Sequence, residues 1–97
     1  MNEVFLIGKI HSLGENRKDG LFTLEVKRNY KDENGQFIFD YFPCKIWKGA
    51  MDVMISNCKV GDVIAIKARL EEDSDSKIII IVEKLKFIYK DNRFQKN

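Results

Sequence analysis

The residues best suited to chemistry lie in one alternating stretch near the middle of the chain. Tyr41, Lys45 and Trp47 fall on one side of a strand, and the apolar residues at 42, 44 and 46 fall on the other, core-facing side. Aromatic rings stack on unpaired nucleic-acid bases at roughly 1–3 kcal/mol per base, and a lysine between them meets the linking phosphate. A strand rises about 3.3 Å per residue, which separates Tyr41 from Trp47 by ~20 Å, as two stacking stations. The same spacing also suits rings that cover a sheet or lie in a subunit interface.

Other kinds of site find little support in the residue types. The single histidine, His11, has no visible nucleophile beside it and is interpreted as a surface residue at a strand end. Cys44 and Cys58 together with one histidine do not make a zinc site at these spacings. No glycine-rich phosphate loop, paired catalytic carboxylates or metal motif occurs. We therefore expect no enzymatic activity, no metal and no cofactor.

Length and composition indicate one small globular domain. The chain has 97 residues, of which 44% are hydrophobic and 33% charged, with a formal net charge of +2. These values exclude a disordered tail and a two-domain enzyme. The longest apolar run, 78–82, is far shorter than the ~20 residues of a membrane helix, and the first residues show no secretory signal pattern. We expect a cytoplasmic protein with reduced thiols and no membrane partner.

Hydrophobic periodicity predicts five strands and one short helix. The strands either alternate apolar and polar residues or are apolar on both faces, and they occupy residues 4–10, 21–30, 37–47, 62–72 and 78–90. A change of period predicts a helix within 48–59, whose apolar positions are Ala50, Val53, Met54 and Cys58. Residues 91–97 form a short polar tail.

The order of these elements indicates the architecture. Five strands with a helix between the third and fourth have the connectivity of an OB-fold, an all-β, five-stranded, partly open Greek-key barrel. We place this domain at residues 1–90. Gly8 predicts a bulge or a close backbone approach in the first strand. Asn34-Gly35 predicts a hairpin between the second and third strands, because both residue types tolerate positive φ.

Several segments resemble bacterial single-stranded DNA-binding proteins, and they occur in the family's order. The opening MNEVFLIGKI resembles the family's first strand, FTLEVKRNY its second, and DYFPCKIWK its third strand and the start of its helix. Val60-Gly61-Asp62 followed by VIAIKARL resembles the turn and fourth strand, and KLKFI fits the fifth. The resemblance covers about residues 1–89.

The resemblance implies an OB-fold protein that binds single-stranded DNA without sequence preference in DNA replication, recombination or repair. The family is usually homotetrameric, so we expect a homodimer or homotetramer. Stacking aromatics of the family fall at positions matched here by Tyr30, Tyr41 and Trp47. Nearby basic residues become candidate phosphate contacts, namely Lys27, Arg28, Lys31, Lys45, Lys48 and Arg69.

The chain departs from the family pattern in three places. The loop over 12–20 is short. The hairpin after the fourth strand carries Glu71, Glu72, Asp73 and Asp75 where the family's longer hairpin touches DNA, so we expect a smaller or re-routed footprint. The sequence ends in RFQKN rather than in an acidic, phenylalanine-ending tip, so we expect no recruitment of replication proteins by a tip. Short relatives of the primosomal or mobile-element type keep a second interpretation open, in which the aromatic face mainly binds a protein.

Overall fold

The computed structural model describes residues 1–14 and 19–89, and within them the predicted strands and helix are present. The elements are β1 (Val4–Leu13), β2 (Leu21–Lys31), β3 (Phe37–Lys45), α1 (Lys48–Asn57), β4 (Val63–Glu72) and β5 (Ile78–Tyr89). The predicted polar tail, 91–97, lies outside the described residues.

The strands close into a barrel in the order β1-β2-β3-β5-β4, with β4 pairing back onto β1. Neighbouring strands are antiparallel except β3 and β5, which run parallel and meet at Cys44↔Ile80 and Lys45↔Ile81. This strand order, with α1 between β3 and β4, confirms the predicted OB-fold. The brief β3–β5 contact is the most sparsely paired part of the barrel.

The first strand runs further than its sequence pattern predicts. β1 continues to Leu13, because Leu13 still pairs with Phe22 of β2. The ladder shifts register between Ile10 and Ser12, so the irregularity of this strand lies there and not at Gly8. Gly8 instead marks the predicted close approach, since a Cβ at this position would collide with the carbonyl oxygen of Glu25.

Inward-facing residues of the strands form the core. Ile10, Leu24, Cys44 and Ile64 are each at most 1% exposed, and they lie one each on β1, β2, β3 and β4. Burial raises the pKa of the Cys44 thiol to about 12, because the charged thiolate is disfavoured away from water. Cys44 is therefore a packing residue, as its position opposite the aromatic side of β3 predicts. It forms no disulfide with Cys58, which is also buried.

The helix adds two methionines to this core. Met51 and Met54 are each 1% exposed and belong to the same apolar cluster as the strand residues. Val53, one of the apolar positions at which the helix was predicted, does not face the core, because its side chain is 56% exposed. Residues 50, 51, 53, 54 and 55 are all apolar, so periodicity alone leaves the phase of the helix open. Contact with the barrel selects the two methionines, whose unbranched side chains adapt to irregular gaps.

The turn between β2 and β3 confirms the predicted hairpin. The Asp32 carboxylate accepts hydrogen bonds from the backbone amides of Asn34 and Gln36, both at 2.9 Å. Gly35 has φ +77°, the left-handed conformation that glycine adopts without steric cost. Asn34 does not have positive φ, so the turn is a longer type than the two-residue turn that an asparagine–glycine pair favours.

The turn between β4 and β5 repeats the same hydrogen-bond pattern with a different residue at its strained position. The Asp73 carboxylate accepts from the amides of Asp75 at 2.8 Å and Lys77 at 3.0 Å. Ser76, with φ +61°, stands where the first turn has glycine. A side chain in this conformation is strained, since its Cβ crowds the neighbouring backbone.

Candidate nucleic-acid interface

The outer side of β3 carries a row of exposed aromatic rings. Phe37, Phe39 and Tyr41 alternate along the strand and are 53%, 41% and 50% exposed. Cys44 and Ile46, two of the alternate positions, are buried. The predicted division of this strand into an aromatic outer side and an apolar inner side is confirmed.

Two lysines of β2 lie over this aromatic row. Lys27 pairs with Phe39 across the ladder and Lys31 with Phe37. The Nζ atoms of Lys27 and Lys31 lie 4.5 and 4.7 Å from the centroid of the Phe37 ring. Both distances are within the range of cation–π attraction. The contact gathers two positive charges beside one exposed ring.

Tyr41 is held by neighbours from two other strands. Its ring centroid lies 4.6 Å from that of His11 on β1, and the two planes are tilted by 56°. Glu25 of β2 pairs with Tyr41 across the ladder, and its Oε2 lies 3.8 Å from the Nδ1 of His11. Partial burial, followed by the charge and hydrogen bond of Glu25, raises the pKa of the Tyr41 hydroxyl, which stays neutral. These contacts orient the ring while leaving half of it exposed.

Arg28 and Tyr30 form a separate group. Alternation along β3 places Asp40 on the side opposite Phe39 and Tyr41, and Arg28 binds Asp40 through two hydrogen bonds of 2.9 and 2.8 Å. A third hydrogen bond, of 2.9 Å, runs from Arg28 Nη1 to the Tyr30 hydroxyl. The guanidinium is thus engaged by a carboxylate and a phenol. Tyr30 itself is 61% exposed.

A shallow concavity joins the two groups at the end of the β2–β3 hairpin. The ladder shifts register between Lys27 and Lys31, where β2 has two more residues than β3. The concavity at this irregularity is lined by residues of both groups, namely Lys27, Arg28, Asn29, Tyr30, Lys31 and Phe37. Tyr30 therefore borders the same concavity as Lys27 and Lys31, the two lysines beside Phe37.

Trp47 lies at the N-cap of α1 and not on β3, which corrects the predicted end of the strand. β3 ends at Lys45, and one further hydrogen bond follows it, from the Ile46 amide to the Gly20 carbonyl at 2.8 Å. The Trp47 ring is 68% exposed and lies against Gly49, where any Cβ would collide with it. It borders an apolar groove between α1 and β5 that also includes Val53 and Phe87.

The remaining predicted basic residues differ in their surroundings. Lys45, at the end of β3, and Lys48, at the start of α1, are exposed on either side of Trp47. Arg69 lies on β4, where its guanidinium pairs with Glu71 at 2.6 Å and Glu83 at 3.3 Å. These acids raise the pKa of Arg69, mainly through the hydrogen bond that Arg69 donates to Glu71. The structure thus gathers the lysines beside the exposed rings and leaves Arg69 outside that group.

The structure also brings in residues that the sequence analysis did not select. Phe37 and Phe39 share the side of Tyr41, and strict alternation from Tyr41 is the signal that points to them. His11 joins Tyr41 from β1 across Glu25, and no local pattern announces this contact. Over residues 1–14 and 19–89 there is no cluster of three or more metal-ligating side chains. Nor does this part of the chain contain a helix of the length and apolarity needed to span a membrane.

Comparison with known families identifies the chain's relationships. The model of the Single-strand binding protein family matches residues 1–78. The chain belongs to this family. Among curated relatives of this family member, Single-stranded DNA-binding protein 1 of Streptococcus pyogenes is 34% identical over 77 residues, covering 73% of the chain and 59% of the relative. The chain spans about half to three fifths of the length of the curated relatives that it matches.

Solved structures confirm the fold of this family member. The mitochondrial single-stranded DNA-binding protein Rim1 of Saccharomyces cerevisiae superimposes with a TM-score of 0.73 at 6% identity, covering 93% of this chain and 97% of Rim1. The N-terminal domain of PriB from Thermoanaerobacter tencongensis, described as dimeric, gives a TM-score of 0.61 at 18% identity, with 92% and 98% covered. At these identities the likeness concerns the fold.

Proposed function

We propose that this chain binds single-stranded DNA without sequence specificity, as a non-enzymatic domain acting in DNA replication, recombination or repair in the cytoplasm. The observation that carries the proposal is the row of exposed rings on β3 with lysines beside it, in a chain that belongs to the Single-strand binding protein family. The domain comprises residues 1–90.

The mechanism divides between rings and charges. Tyr41 and Trp47 stack on bases, and Tyr30 adds a third ring at the hairpin. Every base has a π-face, so stacking does not discriminate between sequences. Lysines beside these rings neutralise phosphates, and binding releases the counterions that surround the strand. The lysines in this role are Lys27, Lys31, Lys45 and Lys48.

The two arginines have a different role in this proposal. Arg28 and Arg69 each hold carboxylates at hydrogen-bond distance, and a phosphate would have to displace them. A carboxylate already in place compensates the guanidinium charge, so the gain from binding a phosphate is small. We therefore assign phosphate contacts to the lysines and a structural role to Arg28 and Arg69.

A second copy of the chain is the proposed partner of β1. Phe5 and Ile7 are 69% and 62% exposed and stand on the same side of the strand. Two neighbouring large apolar side chains gain free energy when removed from water, at about 25 cal/mol per Å². The dimer described for the PriB N-terminal domain, which shares this fold, supports the assignment.

Sedimentation at micromolar concentration tests this self-association. We expect a dimer or tetramer that Ile7→Lys dissociates, and a monomeric wild type would contradict it.

A fluorescence titration tests DNA binding directly. Trp47 is the sole tryptophan, so its emission reports on one defined position. We expect oligo-dT to quench this emission, with an affinity that falls as salt rises, by a slope of about 0.7 per phosphate contact. A chain that shows neither quenching nor retardation of a labelled oligo-dT at low salt would refute the proposal.

A further inference from the structure

We infer that Phe37 and Phe39 form an additional base-stacking station for single-stranded nucleic acid, beside the phosphate-binding lysines Lys27 and Lys31. The inference rests on the proposed function and extends the contact surface from Tyr41 toward the tip of the β2–β3 hairpin. Its ligand is a further unpaired base with the phosphates on either side.

The spacing of the rings suits stacked bases. Phe37, Phe39 and Tyr41 are two residues apart, which separates neighbours by about 6.6 Å along the strand. Stacked bases in a DNA strand are about 3.4 Å apart. Two neighbouring rings therefore leave room for one base between them. A nucleic-acid strand whose bases alternate with these rings is therefore extended, with neighbouring bases about 6.6 Å apart.

The charges beside the rings favour a nucleic acid over an apolar partner. Lys27 and Lys31 bring two ammonium groups within 5 Å of the centre of one exposed ring. An apolar partner surface on this side would bury those charges, which is costly without an acidic partner. A single-stranded nucleic acid instead offers a base that stacks on a phenylalanine ring and a phosphate for each lysine. A concave surface runs from Phe37 and Phe39 across β2 to Lys9 and Ile7 of β1. Glu25 is the acidic residue that lines it.

A double variant separates stacking from charge. Phe37→Leu/Phe39→Leu keeps apolar side chains at both positions and removes only the rings. We expect its affinity for an oligo-dT of about 16 nucleotides, the upper span of one OB-fold, to fall roughly 5- to 100-fold. The slope of log affinity against log salt should not change, because no charge is altered. Ile78→Leu exchanges one exposed apolar side chain for another at the start of β5, away from the aromatic row, and should bind as the wild type does.

A relocated tryptophan tests direct contact. Trp47→Phe removes the natural reporter while keeping a ring, and Phe37→Trp in that background makes position 37 the sole source of indole emission. We expect oligo-dT to quench this emission in parallel with the retardation of a labelled strand. The single variant Trp47→Phe, which has no tryptophan, provides the background.

The outcomes separate this inference from the proposed function. If the wild type does not bind oligo-dT, the proposed function fails. If the wild type binds but the double leucine variant binds equally well and the indole at position 37 is not quenched, the additional station is refuted. If the leucine variant changes sedimentation and leaves affinity intact, a second copy of the chain covers these rings, which also overturns the inference.

Discussion

Arg28 and Asp40 face each other across β2 and β3 in a two-point ion pair, with Nε donating to Oδ2 at 2.9 Å and Nη2 donating to Oδ1 at 2.8 Å. The hydrogen bonds that Arg28 donates to Asp40 are the main cause of two shifts, a raised pKa of Arg28 and a lowered pKa of Asp40. The remaining guanidinium nitrogen donates to the Tyr30 hydroxyl. Asp40 thus positions Tyr30 by way of Arg28, which makes both charged residues supports of an exposed ring.

This arrangement predicts different salt responses for two neighbouring basic residues. Arg28→Gln should weaken oligo-dT binding by loosening Tyr30, yet leave the slope of log affinity against log salt unchanged, because Arg28 meets a carboxylate and not a phosphate. Lys31→Gln, the matched control, should reduce that slope by about 0.7. Titrations of both variants over a series of salt concentrations measure the slopes. A reduced slope in the Arg28 variant would show that the arginine leaves Asp40 to bind phosphate.

The same pair predicts a component of acid unfolding. The folded-state pKa of Asp40 lies below that of the unfolded chain, so the pair stabilises the fold at pH values above the unfolded value, about 3.9, and this contribution is lost as pH falls through the folded pKa. Urea unfolding at pH 7 should therefore show Asp40→Asn to be less stable than the wild type. At pH 3 the difference should narrow.

A double-mutant cycle with Arg28→Gln isolates this effect. In the Arg28→Gln background, Asp40→Asn should change stability by nearly the same amount at both pH values, because the arginine that lowers the pKa of Asp40 is gone. An equal pH dependence with and without Arg28 would assign the acid sensitivity to another carboxylate.

Trp47 predicts a separation of binding from stability. Its ring is 68% exposed at the N-cap of α1, so Trp47→Ala should weaken oligo-dT binding by roughly 1–3 kcal/mol with a small effect on the free energy of unfolding. Leu24→Ala, at a fully buried position, should instead cost about 2–5 kcal/mol of stability. Urea unfolding and labelled-strand retardation measure the two quantities. Loss of folding in the tryptophan variant with unimpaired binding by the folded fraction would place the ring in the core.

The turn after β4 predicts a stabilising substitution. Ser76 has φ +61°, so Ser76→Gly should relieve strain and raise the free energy of unfolding by ~0.5–1 kcal/mol. This amount is the cost of the left-handed conformation for serine minus the extra backbone entropy that glycine loses on folding. Ser74→Gly, two residues earlier in the same turn, lacks positive φ and should not stabilise. Thermal unfolding compares the two. If both glycine substitutions changed stability equally, Ser76 would not be strained.

The number and order of the elements and the two sides of β3 follow from local patterns in the amino-acid sequence. A period of two residues is a local property, so Tyr41 outward and Cys44 inward follow from the chain alone once the segment is recognised as a strand. The asparagine–glycine turn and the short helix between β3 and β4 are equally local signals, and together with the strand order they predict the OB-fold.

Which side chains meet depends on contacts between segments that are distant in the sequence. Arg28 contacts Asp40 because the β2–β3 register pairs Asp40 with Val26, two residues before Arg28. Lys27 and Lys31 both contact the Phe37 ring because the ladder shifts register between the two lysines. His11 reaches Tyr41 across an intervening strand, and Met51 displaces Val53 from the core because the barrel selects the phase of α1. Periodicity tells which side a residue faces, whereas register, bulges and helix phase arise from contacts between distant segments. Those contacts separate the lysines that remain beside exposed rings from the arginines that are already paired.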